Sequence, residues 1–167
     1  MALNSCSNTN NQQVVQRNVF SLNTYFEEEI HQTKNKINGT KYVSFNGKKD
    51  TLDLENFDPS KDLRSFIESD INKPSLLDQY KCDTLQKNGK NIFSYQALKN
   101  SLRTKSIEII STNGSVEEIS ILNEDASILR NSSQRLNYRP SKGYTIQTQQ
   151  KIRGQADSEY LIEVDFD

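Results

Sequence analysis

The 167-residue chain has no tryptophan, one histidine, two cysteines, one methionine, three prolines and six glycines. Each shortage closes off some chemistry. A single histidine leaves no histidine triad and no multi-histidine zinc site within one chain, and two cysteines build neither a zinc knuckle nor a disulfide framework. The glycines form no Gly-x-Gly-x-x-Gly, Walker-type loop or Gly-x-Ser-x-Gly, so phosphate cradles and nucleophile elbows are unsupported. No run approaches the roughly 18 to 20 apolar residues that cross a bilayer, so membrane attachment is expected to be covalent or through a partner. A net charge of -1 provides no overall pull toward nucleic acid. With 33% hydrophobic residues and a mean hydropathy of -0.81, the chain is expected to form one domain with a compact core and a very polar surface.

What is present is a helix followed by hairpins. Val15, Val19, Leu22, Phe26, Ile30 and Ile37 recur at three- and four-residue steps, predicting one amphipathic helix that stops at Asn38-Gly39. Residues 41–45 and 48–54 flank Asn46-Gly47, a two-residue hairpin signal whose register puts Val43 and Phe45 on the face of Leu52 and Leu54. Asp58-Pro59 offers a cap and a first-turn proline to a short helix carrying Leu63, Phe66, Ile67 and Ile71, ended by Asn72-Lys73-Pro74.

Residues 80–86 and 91–97 read as a second hairpin. Residues 104–111 and 116–122 read as a third, in which one extra turn residue aligns Ile107 and Ile109 with Ile119 and Ile121. Three more strands are expected at 127–138, 143–153 and 158–166, the last alternating Tyr160, Ile162, Val164 and Phe166 with polar partners. The fold class is therefore α+β: a curved, mostly antiparallel sheet of about eight or nine strands in a hairpin meander, packed against an N-terminal amphipathic helix, with one short helix besides.

Candidate chemistry is sparse. Glu28 and His31 have the Glu-x-x-His spacing of carboxylate-bridged metal sites, but such sites draw further ligands from a helical bundle, and here the pair reads as a solvated acidic face opposite the apolar stripe. No metal and no cofactor is expected. Cys82, in an alternating run, reads as a buried small apolar strand residue without a base beside it. Between Ala126 and Ala156 there are six basic residues and no acidic one, while Asp157 to Asp167 supplies five acids. Pairing Ile152 with Tyr160 would set Arg153 against Glu159, and this neutralisation argues against nucleic acid as a partner.

One feature stands out. If Tyr138 pairs with Tyr144 across the Pro140 loop, the face holding Ile128, Leu136, Tyr138, Ile146 and Ile152 also holds Arg130, Ser132, Gln134, Thr148 and Gln150. That is a polar island at core parity, where an unpaired polar group costs on the scale of ~1 to 3 kcal/mol. A sheet curving away from its helix there would leave a polar-floored cleft. The candidate ligand-binding set is thus Arg130, Ser132, Gln134, Tyr138, Tyr144, Thr148 and Gln150.

Leu3-Asn4-Ser5-Cys6, followed by the polar run Ser7 to Gln13, resembles the lipobox and tether of bacterial envelope lipoproteins. The order of elements is similar to that of small single-domain lipoproteins of unknown function in Bacteroidota-type envelopes. The resemblance implies lipidation of Cys6, residues 1–14 as anchor and tether, residues 15–167 as a single domain, and, because Ser7 to Gln13 lacks acids, a periplasm-facing anchor. Its implied function is a non-enzymatic binding or interaction module with a protein partner or small amphiphile as ligand. Three alternatives stay open: a Cys6–Cys82 disulfide, a soluble cytoplasmic interaction protein without an anchor, and a hydrolase using carboxylates such as Glu28 or Asp83.

Overall fold

The computed structural model describes residues 19–167; Cys6 and Val15 lie outside them. Nine strands form one open, wholly antiparallel sheet: β1 (Ile37–Phe45), β2 (Lys48–Phe57), β3 (Tyr80–Lys87), β4 (Lys90–Ala97), β5 (Thr104–Thr112), β6 (Ser115–Ala126), β7 (Arg130–Arg139), β8 (Gly143–Ile152) and β9 (Ser158–Phe166). The spatial order is β2-β1-β9-β8-β7-β6-β5-β4-β3. From β3 onward the strands form a simple meander, and β9, the last of them, pairs with β1 so that the first hairpin extends the meander's far side. The two-helix α+β architecture follows the expectation from the sequence.

Two helices cover one face: α1 (Leu22–Thr33) and α2 (Ser60–Ile67). Because β2 and β3 are opposite edges, the chain between them must cross the whole sheet, a width of roughly 38 Å at ~4.8 Å per strand. An eight-residue helix covers only about 12 Å of that, so the turns and the short 3-10 helix of residues 68–79 complete the crossing. Leu63 and Phe66 of α2 meet Leu22 and Phe26 of α1 over Ile107, Ile109, Ile119, Ile121, Leu136 and Ile146 of the sheet. Phe26 stacks at 4.9 Å from Phe66 and edge-on at 5.0 Å from Tyr138, so the helix pair is joined to the sheet through aromatic rings.

Both helices are shorter than their apolar stripes predict. α1 ends at Thr33 and Ile37 opens β1, because Lys34, Asn35 and Lys36 turn the chain, with Asn35 at φ 57°. Ile37 keeps its buried place but contributes it from a strand. α2 ends at Ile67, and Ile71 is buried from the irregular segment beyond it. Pro59, not Asp58, occupies the N-cap position of α2, and Asp58 supports the helix start from one residue earlier: its carboxylate accepts from the Ser60 N–H at 2.9 Å, which holds its pKa below the ordinary carboxylate value.

The strand registers match the sequence expectation in three places and differ in one. Val43 and Phe45 share a face with Leu52 and Leu54, Tyr138 pairs with Tyr144, and Ile107 and Ile109 face Ile121 and Ile119 across a shift at Ile110/Ser111. The pairing of Ile152 with Tyr160 does not occur. Tyr160 faces Thr148 and Gln149 faces Glu159, leaving residues 153–157 as a connection. Neutralisation of the basic block runs instead through Lys151–Asp157 at 3.0 Å, Arg130–Asp125 at 3.3 Å and Arg139–Glu118 at 3.3 Å. Ile128 precedes β7 and is 89% exposed, so it does not belong to the sheet face.

Candidate functional site

The helix-bearing face is best described in rows that run across the strands. One row is Ile119, Tyr138, Tyr144, Val164, Lys41 and Leu52, and the next is Ile121, Leu136, Ile146, Ile162 and Val43. The helices lie over the buried part of these rows, and Leu52 at the β2 end of the first is exposed. A third row is Asn123, Gln134, Thr148, Tyr160 and Phe45, and a fourth is Asp125, Ser132 and Gln150. Tyr160 and Phe45 in the third row are exposed. The polar island of the sequence therefore exists, at the margin where helix cover ends.

Tyr138 and Tyr144 stand apart from that island, in the first row. The Tyr138 hydroxyl donates to Glu29 of α1 at 2.5 Å, and the Tyr144 hydroxyl donates to Asp62 of α2 at 2.7 Å, where Lys41 also donates at 2.6 Å. Both rings are buried and both hydroxyls are committed to holding a helix on the sheet. Glu29 belongs to the run read as a solvated face. Glu28 and His31 are exposed, but Glu29 turns inward to reach Tyr138. Burial first, and then the facing carboxylate, push both phenols far above their ordinary range.

These shifts predict alkaline sensitivity. The folded chain keeps both protons well above pH 10, whereas the unfolded chain releases them near pH 10. Their contribution to stability is therefore full below about pH 10 and declines above it, by about 2.7 kcal/mol per pH unit for the two groups together. Denaturant unfolding at a series of pH values between 9 and 11.5 should show this fall, and Tyr138→Phe/Tyr144→Phe should flatten it. A slope unchanged in the double variant would show that these phenols are not its source.

Along the margin a hydrogen-bonded chain runs outward from Ser69, in the segment beyond α2. Thr104 Oγ1 donates to the Ser69 carbonyl at 3.2 Å, Asn123 Nδ2 donates to Ser69 Oγ at 2.8 Å and to Gln134 Oε1 at 3.2 Å, and Gln134 Nε2 donates to Thr148 Oγ1 at 3.4 Å. Asn123 is 2% exposed, and its Oδ1 is buried without a hydrogen-bond partner among the described residues. Such an orphan acceptor costs free energy unless a water or a ligand donates to it. Beside it lies a depression of about 130 Å³ whose lining includes Arg103, Asn123, Asp125, Arg130, Ser132 and Gln134. Three residues of the sequence-derived set thus line it, Arg130, Ser132 and Gln134, with Thr148 hydrogen-bonded to Gln134 and Gln150 paired with Ser132.

The sequence reading missed Asn123, Tyr160 and Phe45. Asn123 was detectable as the polar member of the alternating series Ile119, Ile121, Asn123. The exposure of Tyr160 and Phe45 was not, because alternation identifies a face and not the extent of the helices covering it.

The opposite face carries a wider groove of about 620 Å³ whose lining includes Glu108, Ser120, Arg135, Asn137, Arg139 and Gln147. Asn137 donates to Glu118 and Ser120, and Arg139 donates to Glu118. Among the described residues no buried side-chain polar atom of this lining lacks a hydrogen-bond partner. Asp83 is exposed on β3, paired with Lys81 at 2.8 Å, and Glu28 is exposed on α1; the two stand on separate elements. Cys82 is not buried as its alternating run suggested but exposed, because β3 is an edge strand with almost every residue exposed; Cys6, its possible disulfide partner and the candidate lipidation site, is outside the described residues.

No protein-family model matches the chain, and no match was found among curated proteins or solved structures.

Proposed function

We propose that the chain is a non-enzymatic binding module, held at a bacterial envelope by a lipid on Cys6 and facing the periplasm, which takes a small amphiphile or an amphiphilic segment of a protein partner on the uncovered part of its sheet. The observation that carries the reading is the third row: Asn123, Gln134 and Thr148 at one end, Tyr160 and Phe45 at the other, over four interstrand steps or roughly 19 Å. A polar floor with an orphan acceptor at one end and exposed aromatic rings at the other suits a ligand with one polar and one apolar end. Arg130, ion-paired only at the surface, adds a cation near the polar end.

The binding reading is tested by titration with 1-anilinonaphthalene-8-sulfonate, followed by fluorescence. Enhanced emission is expected from the cooperatively folded protein. Tyr160→Ser and Arg130→Ala should each weaken it about tenfold or more, with melting temperatures within about 2 °C of the parent, because both side chains are substantially exposed. Equal binding by parent and variants, or none at all, sinks the cleft. The anchor is tested by mass spectrometry of protein produced from the complete gene in a bacterial host. An acyl adduct on Cys6 is expected, and an unmodified Cys6 removes the envelope reading in favour of a soluble interaction protein.

A further inference from the structure

β2 and β3 are the outer strands of the sheet, and among the described residues nothing pairs with either outer edge. Their charges are ordered differently. β3 carries Lys81 and Lys87 toward its two ends with Asp83 between them, so turning it end for end about its middle matches no opposite signs, and a register that sets Lys81 or Lys87 against Asp83 overlaps only about five residues. β2 has Lys48 and Lys49 at its turn end and Asp53 and Glu55 toward its other end. A two-fold axis reverses one copy relative to the other, and on β2 that reversal brings the basic end of each copy to the acidic end of its neighbour.

The backbone sets which residues can meet. The two-residue Asn46-Gly47 turn makes Phe45 and Lys48 a hydrogen-bonded pair, so Lys48, Asp50, Leu52 and Leu54 direct their backbone polar groups toward β1. Lys49, Thr51, Asp53 and Glu55 direct theirs outward. In keeping with this, the Thr51 N–H donates to the Asp50 carboxylate at 2.9 Å and takes no part in the ladder. Outward residues must face outward residues across a new antiparallel pair. With Leu52 on the axis, Leu52 meets the partner's Leu52, Thr51 meets the partner's Asp53, and Lys49 meets the partner's Glu55, with the partner's Asp53 diagonal to it. Leu52 is 49% exposed and lies on the face that carries Val43 and Phe45, so the same register also joins the exposed apolar patches of the two copies.

We propose that the outer edge of β2 is the docking surface for a second copy of this chain, producing a two-fold dimer with one sheet continuous through both copies. The pairing supplies roughly eight backbone hydrogen bonds, two symmetry-related Lys49–Glu55 pairs and a leucine contact at the axis. Edge pairing alone buries less than the roughly 1,200 Å² of a permanent interface, so the dimer dissociates on dilution. Self-pairing uses up the β2 edge of both copies, and the outer edges of β3 form the two ends of the joined sheet.

The test is sedimentation equilibrium of the full chain, with reductant present, from about 1 to about 300 µM. A monomer–dimer equilibrium is expected. Lys49→Glu and Glu55→Lys should each weaken it about tenfold or more, since each creates two like-charged pairs, and Lys49→Glu/Glu55→Lys should restore it to within about threefold. Thr51→Pro removes an outward N–H without touching the β1 ladder and should abolish the dimer while the monomer still melts cooperatively. The proposal is overturned if the parent stays monomeric at the highest concentration, if its dimer is indifferent to Lys49→Glu, or if the double charge exchange fails to restore what the single ones lost.

Discussion

Gly143→Ala is expected to remove cooperative folding or to lower stability by more than ~5 kcal/mol, in the range that marks a backbone collision and not a lost contact. Gly143 opens β8 at φ 132°, a conformation that L side chains rarely adopt, and a Cβ there would lie 1.8 Å from the Val164 carbonyl oxygen and 2.9 Å from its carbon. Those are backbone atoms of β9, fixed by pairing with β1 on the other side, so they have nowhere to retreat. Gly39 of β1 approaches the same stretch from that other side, its added Cβ falling 2.0 Å from the Asp165 carbonyl oxygen. The end of β9 is therefore held between two glycines. Gly114→Ala is the comparison: φ is 83° but a Cβ would meet nothing within 4 Å, so only the conformational strain of ~1 to 3 kcal/mol applies. Thermal unfolding by circular dichroism separates the cases, and a Gly143→Ala protein melting within a few degrees of the parent would show that β8 and β9 can part there freely.

Asp70→Ala is expected to cost about 3 to 5 kcal/mol and to lower the melting temperature by roughly 10 °C or more. Asp70 lies beyond α2, is 7% exposed, and caps a helix to which it does not belong. Its carboxylate accepts from the Leu22 N–H and the Asn23 N–H at 3.3 Å, from Ser21 Oγ at 3.4 Å and from the Asn72 N–H at 3.0 Å. The first two are unbonded donors of the first turn of α1, and a negative charge there also opposes the helix dipole favourably. Alanine would leave these buried or half-buried donors without an acceptor. Asp70→Asn keeps one acceptor oxygen and should recover part of the loss. If Asp70→Ala melted like the parent, Ser21, which already accepts from the Thr24 N–H, would have to be a sufficient cap by itself.

Parts of the molecule differ in how far local sequence encodes them. The strand pairs were legible because side chains alternate with a period of two and the turn pairs Asn46-Gly47, Asn88-Gly89 and Asn113-Gly114 set the register locally. The polar island was legible for the same reason: Arg130, Ser132, Gln134, Thr148 and Gln150 share parity with Leu136 and Ile146, which no alternative pairing of a hairpin closed at Tyr138 and Tyr144 would alter. The extent of α1 was not legible, since Ile37 satisfies a helical stripe and a strand equally well and only the turn at Asn35 separates the two. The register of β8 with β9 was misread for a related reason. Residues 153–157 contain no turn pair that dictates a loop length, and the cross-sheet fit of Ile146 against Ile162 decided it instead.

By itself, then, the sequence determined a chain with one histidine and no catalytic signature, the number and order of the strands, and which residues occupy each face, because these depend on composition and on periodicities that act within a few residues. The tertiary structure alone decided that β9 closes against β1, that Tyr138, Tyr144 and Asp70 serve the helices, and that helix cover stops short of Asn123, Tyr160 and Phe45. Those outcomes join residues about 50 to 120 positions apart, and which part of a face is buried depends on where a crossing helix comes to rest, which no local pattern encodes.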